Sequence, residues 1–331
     1  MNDKEIHPLD VALNAAICGN LDESEKILRN QPQNDYRVLF NLGWHEMRRG
    51  NLKKGFEHLN YGRFIGVFGS PAIPGKIWKD ESLENKTLLF RCEGGYGDQI
   101  INFRFAKQFE KLGARVLISC SPELKSLFSD HGFICVDNSA ISSIHYDYWI
   151  PAMSAAYILG LEYEDLNGLP YLFSKNRKKL FSNPENIKVG IRWSGSSEFE
   201  HEQYRRFTPE FMTNLHNVPN TTFYSLQRDE NTIDGLPFAD MRDQMTTWID
   251  TMNIIADLDL VITSCTSIAH LSAAMGKPTW IVIPVLPYYI WSFPDKKSKW
   301  YDSVTLFRQK KFGEWQDVFE DIRNELIKIS S

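Results

Sequence analysis

Cysteine is sparse and scattered. Cys18, Cys92, Cys120, Cys135 and Cys265 stand far apart, and no two form a C-x-x-C pair. Neither a zinc site nor a disulfide framework is suggested. Reduced thiols in a cytosolic chain fit this usage. No apolar run approaches the roughly 20 residues of a membrane span. The opening "MNDKEIHPLD" is polar and acidic, with no signal-peptide core. The expected location is the cytoplasm. An excess of positive charge is also missing: the net charge is −5 and the pI about 5.9, which gives no general attraction to nucleic acid or membranes. The densest basic stretch, "KNRKK" at 175–179, reads as a solvated linker. The dinucleotide fingerprint G-x-G-x-x-G is absent as well.

What is present is a soluble globular balance over 331 residues: 43% apolar, 24% charged and 13% aromatic. This length predicts two or three domains. The first 65 residues hold a repeat. "CGNLDESEKIL" (18–28) matches "RGNLKKGFEHL" (49–59) at a constant offset of 31. Each copy reads as helix, Gly-Asn turn, helix. Leu42, Gly43, Gly55 and Leu59 match the large and small positions of a tetratricopeptide repeat, whose usual period is ~34 residues. Gly43 and Gly55 would let the paired helices approach closely. Two repeats are too few to stand alone, so they should pack on the remainder of the chain, as a helical cap or as a partner- or acceptor-binding module.

Residues 66–85, rich in Gly, Pro and polar residues, read as a linker. Strand–helix alternation then begins, which predicts parallel sheets covered by helices. The boundaries are 86–174 for a first α/β domain, 175–185 for a second linker and 186–331 for a second α/β domain. Ligands of such sheets bind at the carboxyl ends of strands and between domains. That draws the loops after residues 90, 193, 227, 264 and 284 towards one cleft.

Four loops carry candidate chemistry. "EGGYGDQI" has three glycines and Asp98 between a strand and a helix. Its carboxylate would repel phosphate. Spacing favours Asp98 as helix N-cap, with a general base as the other reading. "IRWSGSSEFEHEQYRRF" ends a strand in a Ser/Gly turn followed by Arg205 and Arg206, a pair suited to phosphate, or else a solvated loop interleaved with Glu198, Glu200 and Glu202. "ITSCTSIAH" sets Ser264, Thr266 and Ser267 at a helix start, where hydroxyls and amides hold anionic oxygens. His270 lies one turn beyond Thr266, where a histidine more often packs than reacts. "IPVLPYYIWSF" is aromatic and could wall a base or sugar pocket, with core packing as the default.

In order and spacing, "EGGYGDQI", "VGIRWSG", "FYSLQ", "WIDTMNIIADLDLVITSCTSIAHLSAAMGKPTW" and "WYDSVTLFRQKKFGEW" resemble glycosyltransferase family 9, whose best-known members are bacterial heptosyltransferases. With the repeat in front, they look closest to its tetratricopeptide-fused members. The resemblance implies a GT-B fold, α/β, with two Rossmann-like domains facing a cleft behind a small all-α module. The acceptor would sit mainly on the first domain and the nucleotide-sugar donor on the second. It implies an inverting, metal-independent transfer of a hexosyl, heptosyl or pentosyl group, with no cofactor beyond the nucleotide-sugar co-substrate. Asp98 takes the place of the family's candidate base. Gly94, Gly95, Tyr96 and Gly97 form the acceptor-side loop. Donor and phosphate contacts would fall to Ser194, Gly195, Arg205, Arg206, Gln227, Ser264, Thr266, Ser267 and His270. Cys265 stands where the family usually has aspartate, and a buried, unreactive thiol is its expected role. The acceptor would be a glycan, a protein or a modified nucleic-acid base, and the repeat module could hold a protein partner. The alternative is an inactive, repeat-bearing interaction protein with a GT-B-like domain. A GT-B epimerase or a nucleotide-binding dehydrogenase is a weaker third reading.

Overall fold

In the computed structural model, residues 7–68, 73–175, 179–181, 185–199, 201–228 and 235–331 are described. The middle of "KNRKK", Glu200, the first six residues and parts of both expected linkers lie outside them.

The chain opens with two helical hairpins, α1 (Pro8–Ile17) with α2 (Leu21–Arg29) and α3 (Tyr36–Arg48) with α4 (Leu52–Leu59). Asp35 starts α3 by accepting the Arg37 N–H at 2.9 Å, which satisfies one of the orphan donors of a helix start. The close approach expected at Gly43 and Gly55 is present. A Cβ at Gly43 would lie 2.8 Å from the Gly55 carbonyl, and one at Gly55 would lie 2.4 Å from Met47 Cγ.

The first sheet is built from β1 (Lys76–Ile77), β2 (Thr87–Arg91), α5 (Tyr96–Lys111), β3 (Arg115–Ser119), α6 (Lys125–Asp130), β4 (Ile134–Val136), β5 (Tyr148–Pro151) and α7 (Ala155–Ile158). All its pairings are parallel, in the order β1-β5-β2-β3-β4. Residues 66–85 are therefore more than a linker. They contribute the edge strand β1, and Trp78 is buried with its indole N–H donating to the Glu81 carbonyl at 2.7 Å.

The second sheet comprises β6 (Ile187–Arg192), α8 (Glu202–Arg205), α9 (Glu210–His216), β7 (Thr221–Ser225), β8 (Ala239–Asp240), α10 (Trp248–Asp257), β9 (Leu260–Ser264), α11 (Ser267–Ala274), β10 (Thr279–Ile283), β11 (Val304–Arg308) and α12 (Gln316–Ser330). It is also parallel, ordered β11-β10-β9-β6-β7-β8. The apolar runs of β9 and β10 are covered on both faces, as central parallel strands require.

The polypeptide crosses between the sheets before residue 175. Tyr171 and Leu172 both donate their N–H to the Ala274 carbonyl, at 2.9 and 3.0 Å. One apolar core runs through the seam. It includes Phe56 and Leu59 of the helical module, Ile100 and Phe105 of α5, Ile268 of α11, and Trp300. A second core lies beneath α9 and α12.

The sheet orders place the functional loops. From β2 the chain proceeds outwards to β3 and β4, and β5 then returns to the other side of β2. From β6 it proceeds to β7 and β8, and β9 returns to the other side of β6. Such reversals leave a crevice at the carboxyl ends of the strands. The glycine loop follows β2, "WSGSS" follows β6, and "CTS" follows β9.

Candidate active site

A cleft of about 700 Å³ lies where these loops meet. One wall is Gly94–Asp98 with Ser121. The other includes Gly195, Arg205, Cys265, Thr266, Ser267 and His270.

Asp98 is at the third position of α5, and the N-cap is Gly95. The capping role expected from spacing is thus displaced by one turn. Asp98 Oδ2 reaches back and accepts the Gly95 N–H at 3.0 Å. Its other oxygen, Oδ1, accepts the Tyr288 hydroxyl at 2.7 Å. The second oxygen, expected to face an acceptor, already holds a phenol from the other half of the molecule. Gly94 makes the geometry attainable. Its φ is +71°, and a Cβ there would lie 2.6 Å from Asp98 Oδ2. The crowded walls push the Asp98 pKa up, because burial disfavours its charged form. The Tyr288 and Gly95 hydrogen bonds and the Arg205 charge oppose that rise.

Arg205 lines the cleft from α8. Its Nε donates to Glu202, its Nη1 to the Cys265 carbonyl, and its guanidinium lies 4.5 Å from the Phe199 ring centre. Glu202 also accepts the Gly195 N–H at 2.6 Å. The arginine is therefore held by its neighbours before any ligand arrives.

Thr266 precedes α11 and Ser267 opens it. The Thr266 hydroxyl is buried against that of Thr263 at 3.2 Å, while Ser267 is half-buried. The N-terminus of α11, with Thr266, Ser267 and Ile268, lines the cleft, and a helix N-terminus is the usual anion-binding end.

His270 is 3% exposed, stacks on Trp291 at 5.5 Å, and shares a 3.2 Å hydrogen bond between Nδ1 and the Tyr301 hydroxyl. Burial, then the charges of Arg104 and Arg205, lower its pKa to about 3. The imidazole is neutral at physiological pH, so it can orient groups but is not a ready proton donor. A Cβ on Gly97 would lie 2.9 Å from His270 Cδ2. Gly97→Ala is therefore expected to lower stability. Overpacking costs about 1–3 kcal/mol, against at most about 1 kcal/mol regained in helix propensity. A urea midpoint at or above wild type would contradict this packing account.

Four expected residues are not in the cleft. Ser194, 2% exposed, and Gln227, fully buried, clamp each other behind the turn. Gln227 Nε2 donates to Ser194 Oγ at 2.9 Å, and Gln227 Oε1 accepts the Ser194 N–H at 3.2 Å. Ser264 is fully buried, and its hydroxyl has no hydrogen-bond partner among the described residues. Arg206 points to a separate recess with Trp193 and Trp315. Beyond β7 the reason is alternation, since Leu226 and Arg228 line the cleft and Gln227 between them faces inward, whereas Arg206 diverges from Arg205 because it is the extended C-cap of α8.

Besides Tyr288, three contributors were missed. Arg192 lines the cleft from the last position of β6, donating to the Ser194 and Leu226 carbonyls at 3.0 and 3.1 Å. Arg228 is exposed at the rim. Trp248 is placed by the Thr247–Asp250 capping box of α10 and meets Tyr96 edge-on at 5.3 Å across the rim. Cys265 is 3% exposed and accepts the Trp291 indole N–H at 2.9 Å. Burial pushes its thiol pKa up, matching the unreactive role expected of it. Among the described residues, no three His, Cys, Asp or Glu side chains gather where they could hold a metal ion, and no helix is long and apolar enough to cross a membrane.

No protein-family model matches the chain. Among curated proteins, Protein FlbA of Caulobacter vibrioides is 25% identical over 295 residues, covering 77% of this chain and 48% of that protein. The chain thus spans about half the length of the curated relative it matches. Solved structures that share its fold include the following three. A glycosyl transferase family 9 protein from Veillonella parvula is 10% identical, with a TM-score of 0.53 over 69% of this chain and 87% of that one. The iron-containing dodecameric glycosyltransferase TibC from enterotoxigenic E. coli is 13% identical, with a TM-score of 0.53 over 76% and 77%. The E. coli heptosyltransferase WaaC with ADP is 9% identical, with a TM-score of 0.53 over 74% and 100%. The expected two-sheet α/β architecture of these glycosyltransferases is present here. At such identities the likeness concerns the fold.

Proposed function

We propose that the chain is a glycosyltransferase that moves a sugar from a nucleotide-sugar donor to a hydroxyl acceptor, with inversion and without a metal. The observation that carries this reading is the pairing, in one cleft, of a carboxylate held on one wall with a helix N-terminus and a fixed arginine on the other. Asp98 takes the proton of the acceptor hydroxyl as that oxygen attacks the anomeric carbon. Charge then grows on the departing diphosphate. The α11 amides and Arg205 stabilise that charge where it forms. A walled cleft limits hydrolysis of the donor by excluding water.

The sugar is hexosyl, heptosyl or pentosyl, and the acceptor a glycan, a protein or a modified base. The helical module, with its tetratricopeptide-like spacing, is proposed to contribute to acceptor or partner binding, and the reaction to take place in the cytoplasm. A non-catalytic reading draws on Cys265, a neutral thiol at the head of α11 where the resemblance has a carboxylate.

A thermal-shift screen against nucleotide sugars separates the two. A ligand at about 100 times its Kd stabilises the native fold by about 2.7 kcal/mol, which raises Tm by a few degrees. The expected result is a rise with at least one nucleotide sugar and a smaller or no rise with the free sugar. No response to any nucleotide sugar at millimolar concentration would favour the interaction protein.

A further inference from the structure

We propose that Tyr288 is a positioning residue for the Asp98 carboxylate, delivered from the second half of the molecule to hold the base of the first half in its working orientation. The inference rests on the glycosyltransferase reading for its catalytic consequence and on geometry for the pairing itself.

Asp98 and Tyr288 are 190 residues apart, and they meet at 2.7 Å across the cleft. Among the described residues, the carboxylate is otherwise tied to its own loop, through the Gly95 N–H and its own backbone N–H. One such hydrogen bond leaves the side chain free to rotate about it. The Tyr288 hydroxyl, from a different direction, defines the plane. A carboxylate oxygen has two acceptor positions. Oδ1 can therefore hold the phenol and still receive an acceptor hydroxyl, so the pairing orients the base without occupying it. The proton leaves the acceptor oxygen for the carboxylate, and the phenol keeps its own.

Tyr288 is itself well fixed. It follows β10 in the segment Pro284–Tyr288, which carries prolines at 284 and 287. Its ring lies 4.5 Å from Tyr289 and edge-on to Phe199 at 6.4 Å. Burial and the Asp98 charge push its pKa well above the ordinary phenol value, so it remains a donor throughout the working range. Other groups also face Asp98 or its immediate neighbours: Arg205 from α8, with Glu202 behind it, Cys265 from the loop after β9, His270 from α11, and Tyr289 beside Tyr288. Of these, Arg205 is charged but paired, His270 is neutral, and the thiol and Tyr289 are neutral. Among the described residues, Tyr288 is the side chain that donates a hydrogen bond directly to the carboxylate.

The test uses the full-length protein labelled with ¹³C at aspartate carboxyl carbons, without substrate. The Asp98 signal is identified by its loss in Asp98→Asn. Tyr288→Phe removes the donor and keeps the ring, so the Asp98 titration midpoint is expected to rise by about one pH unit or more, because a hydrogen bond to the charged form is lost. Tyr289→Phe, a neighbour whose hydroxyl points to Met153, is expected to leave the midpoint in place and so controls for loosened packing. In the transfer assay, the acid limb of the kcat profile is expected to move upwards by the same amount in Tyr288→Phe, with donor Kd unchanged. An Asp98 midpoint equal to wild type would overturn the proposal, as would a midpoint that moves while the acid limb stays. If the wild type transferred no sugar at all, the glycosyltransferase reading would fall, and the titration would still decide the pairing.

Discussion

Asp98→Asn is expected to lower the rate of the proposed sugar transfer by about 10²–10⁴-fold, the usual contribution of a positioned general base, with donor affinity unchanged. The substitution is close to isosteric. Its carbonyl oxygen can still accept the Gly95 N–H, and its amide can still meet the Tyr288 oxygen. What it loses is an oxygen able to take a proton. The same variant separates the two readings that spacing left open, cap or base. A residue that only capped α5 would change stability and leave the rate alone.

Stability adds a second signature. The folded-state pKa of Asp98 is raised, with burial as the leading cause. Between the unfolded and folded values the native state therefore binds more protons, so ionisation of Asp98 opposes folding as pH rises through that window. Asparagine carries no such cost. Asp98→Asn should be at least as stable as wild type at neutral pH, and its advantage should vanish at low pH, where both side chains are neutral. Urea denaturation at several pH values, beside the transfer rate, reads both effects. A variant that is unstable and fully active would sink the assignment.

Arg63→Ala is expected to destabilise the protein by about 3–5 kcal/mol, the cost of leaving one member of a buried ion pair alone. Arg63 lies in the short turn Asn60–Arg63 that closes the helical module, and Glu93 is the residue before Gly94. The guanidinium grips the carboxylate with two N–H groups, at 2.7 and 2.8 Å, and gives two more hydrogen bonds to Ser154 Oγ at 3.0 and 2.8 Å. Glu93 is 8% exposed and also accepts the Met153 N–H at 3.2 Å. Without Arg63 the carboxylate has no countercharge in direct contact among the described residues. A double variant, Arg63→Met with Glu93→Gln, should recover much of the loss, since neutral replacement of both partners is often tolerated. Equal urea midpoints for wild type and Arg63→Ala would show that the pair contributes little.

The parts of this structure that could be read from sequence are those set by period and punctuation. The alternation of apolar strands with capped helices identified the two parallel sheets, and the Gly-, Ser- and Thr-rich strand ends identified three of the loops around the cleft. Direction was harder. Ser264 and Thr266 look alike as letters, yet Ser264 is the last, buried residue of β9 and Thr266 the N-cap of α11, so the point where the strand ends decides which of them lines the cleft. Arg205 and Arg206 diverge because α8 ends between them. Gln227 reads as a ligand contact in the sequence and is a clamp for the turn beside it. Tyr288 stood in an aromatic run whose default is core, and Trp291 and Tyr289 do obey that default. Nothing local distinguishes the one tyrosine that reaches a carboxylate 190 residues away. The edge strand β1 was hidden because two residues leave no period to detect.

The helical module touches both halves of the α/β body. On one side Arg63 holds Glu93, Tyr163 donates its hydroxyl to the Met47 carbonyl at 3.2 Å, and Glu162 accepts the Lys53 N–H at 3.1 Å. On the other, Phe56 sits edge-on to Tyr289 and Trp300, at 5.8 and 6.0 Å. In mechanical terms the module is a strap. Any movement that spreads the sheets must break one of its two grips or carry it along, and Tyr289 is the neighbour of Tyr288. A load applied to the helices, such as a partner pulling on them, would therefore be transmitted along two short routes, through Glu93 to the glycine loop and through Tyr289 to the phenol that holds Asp98.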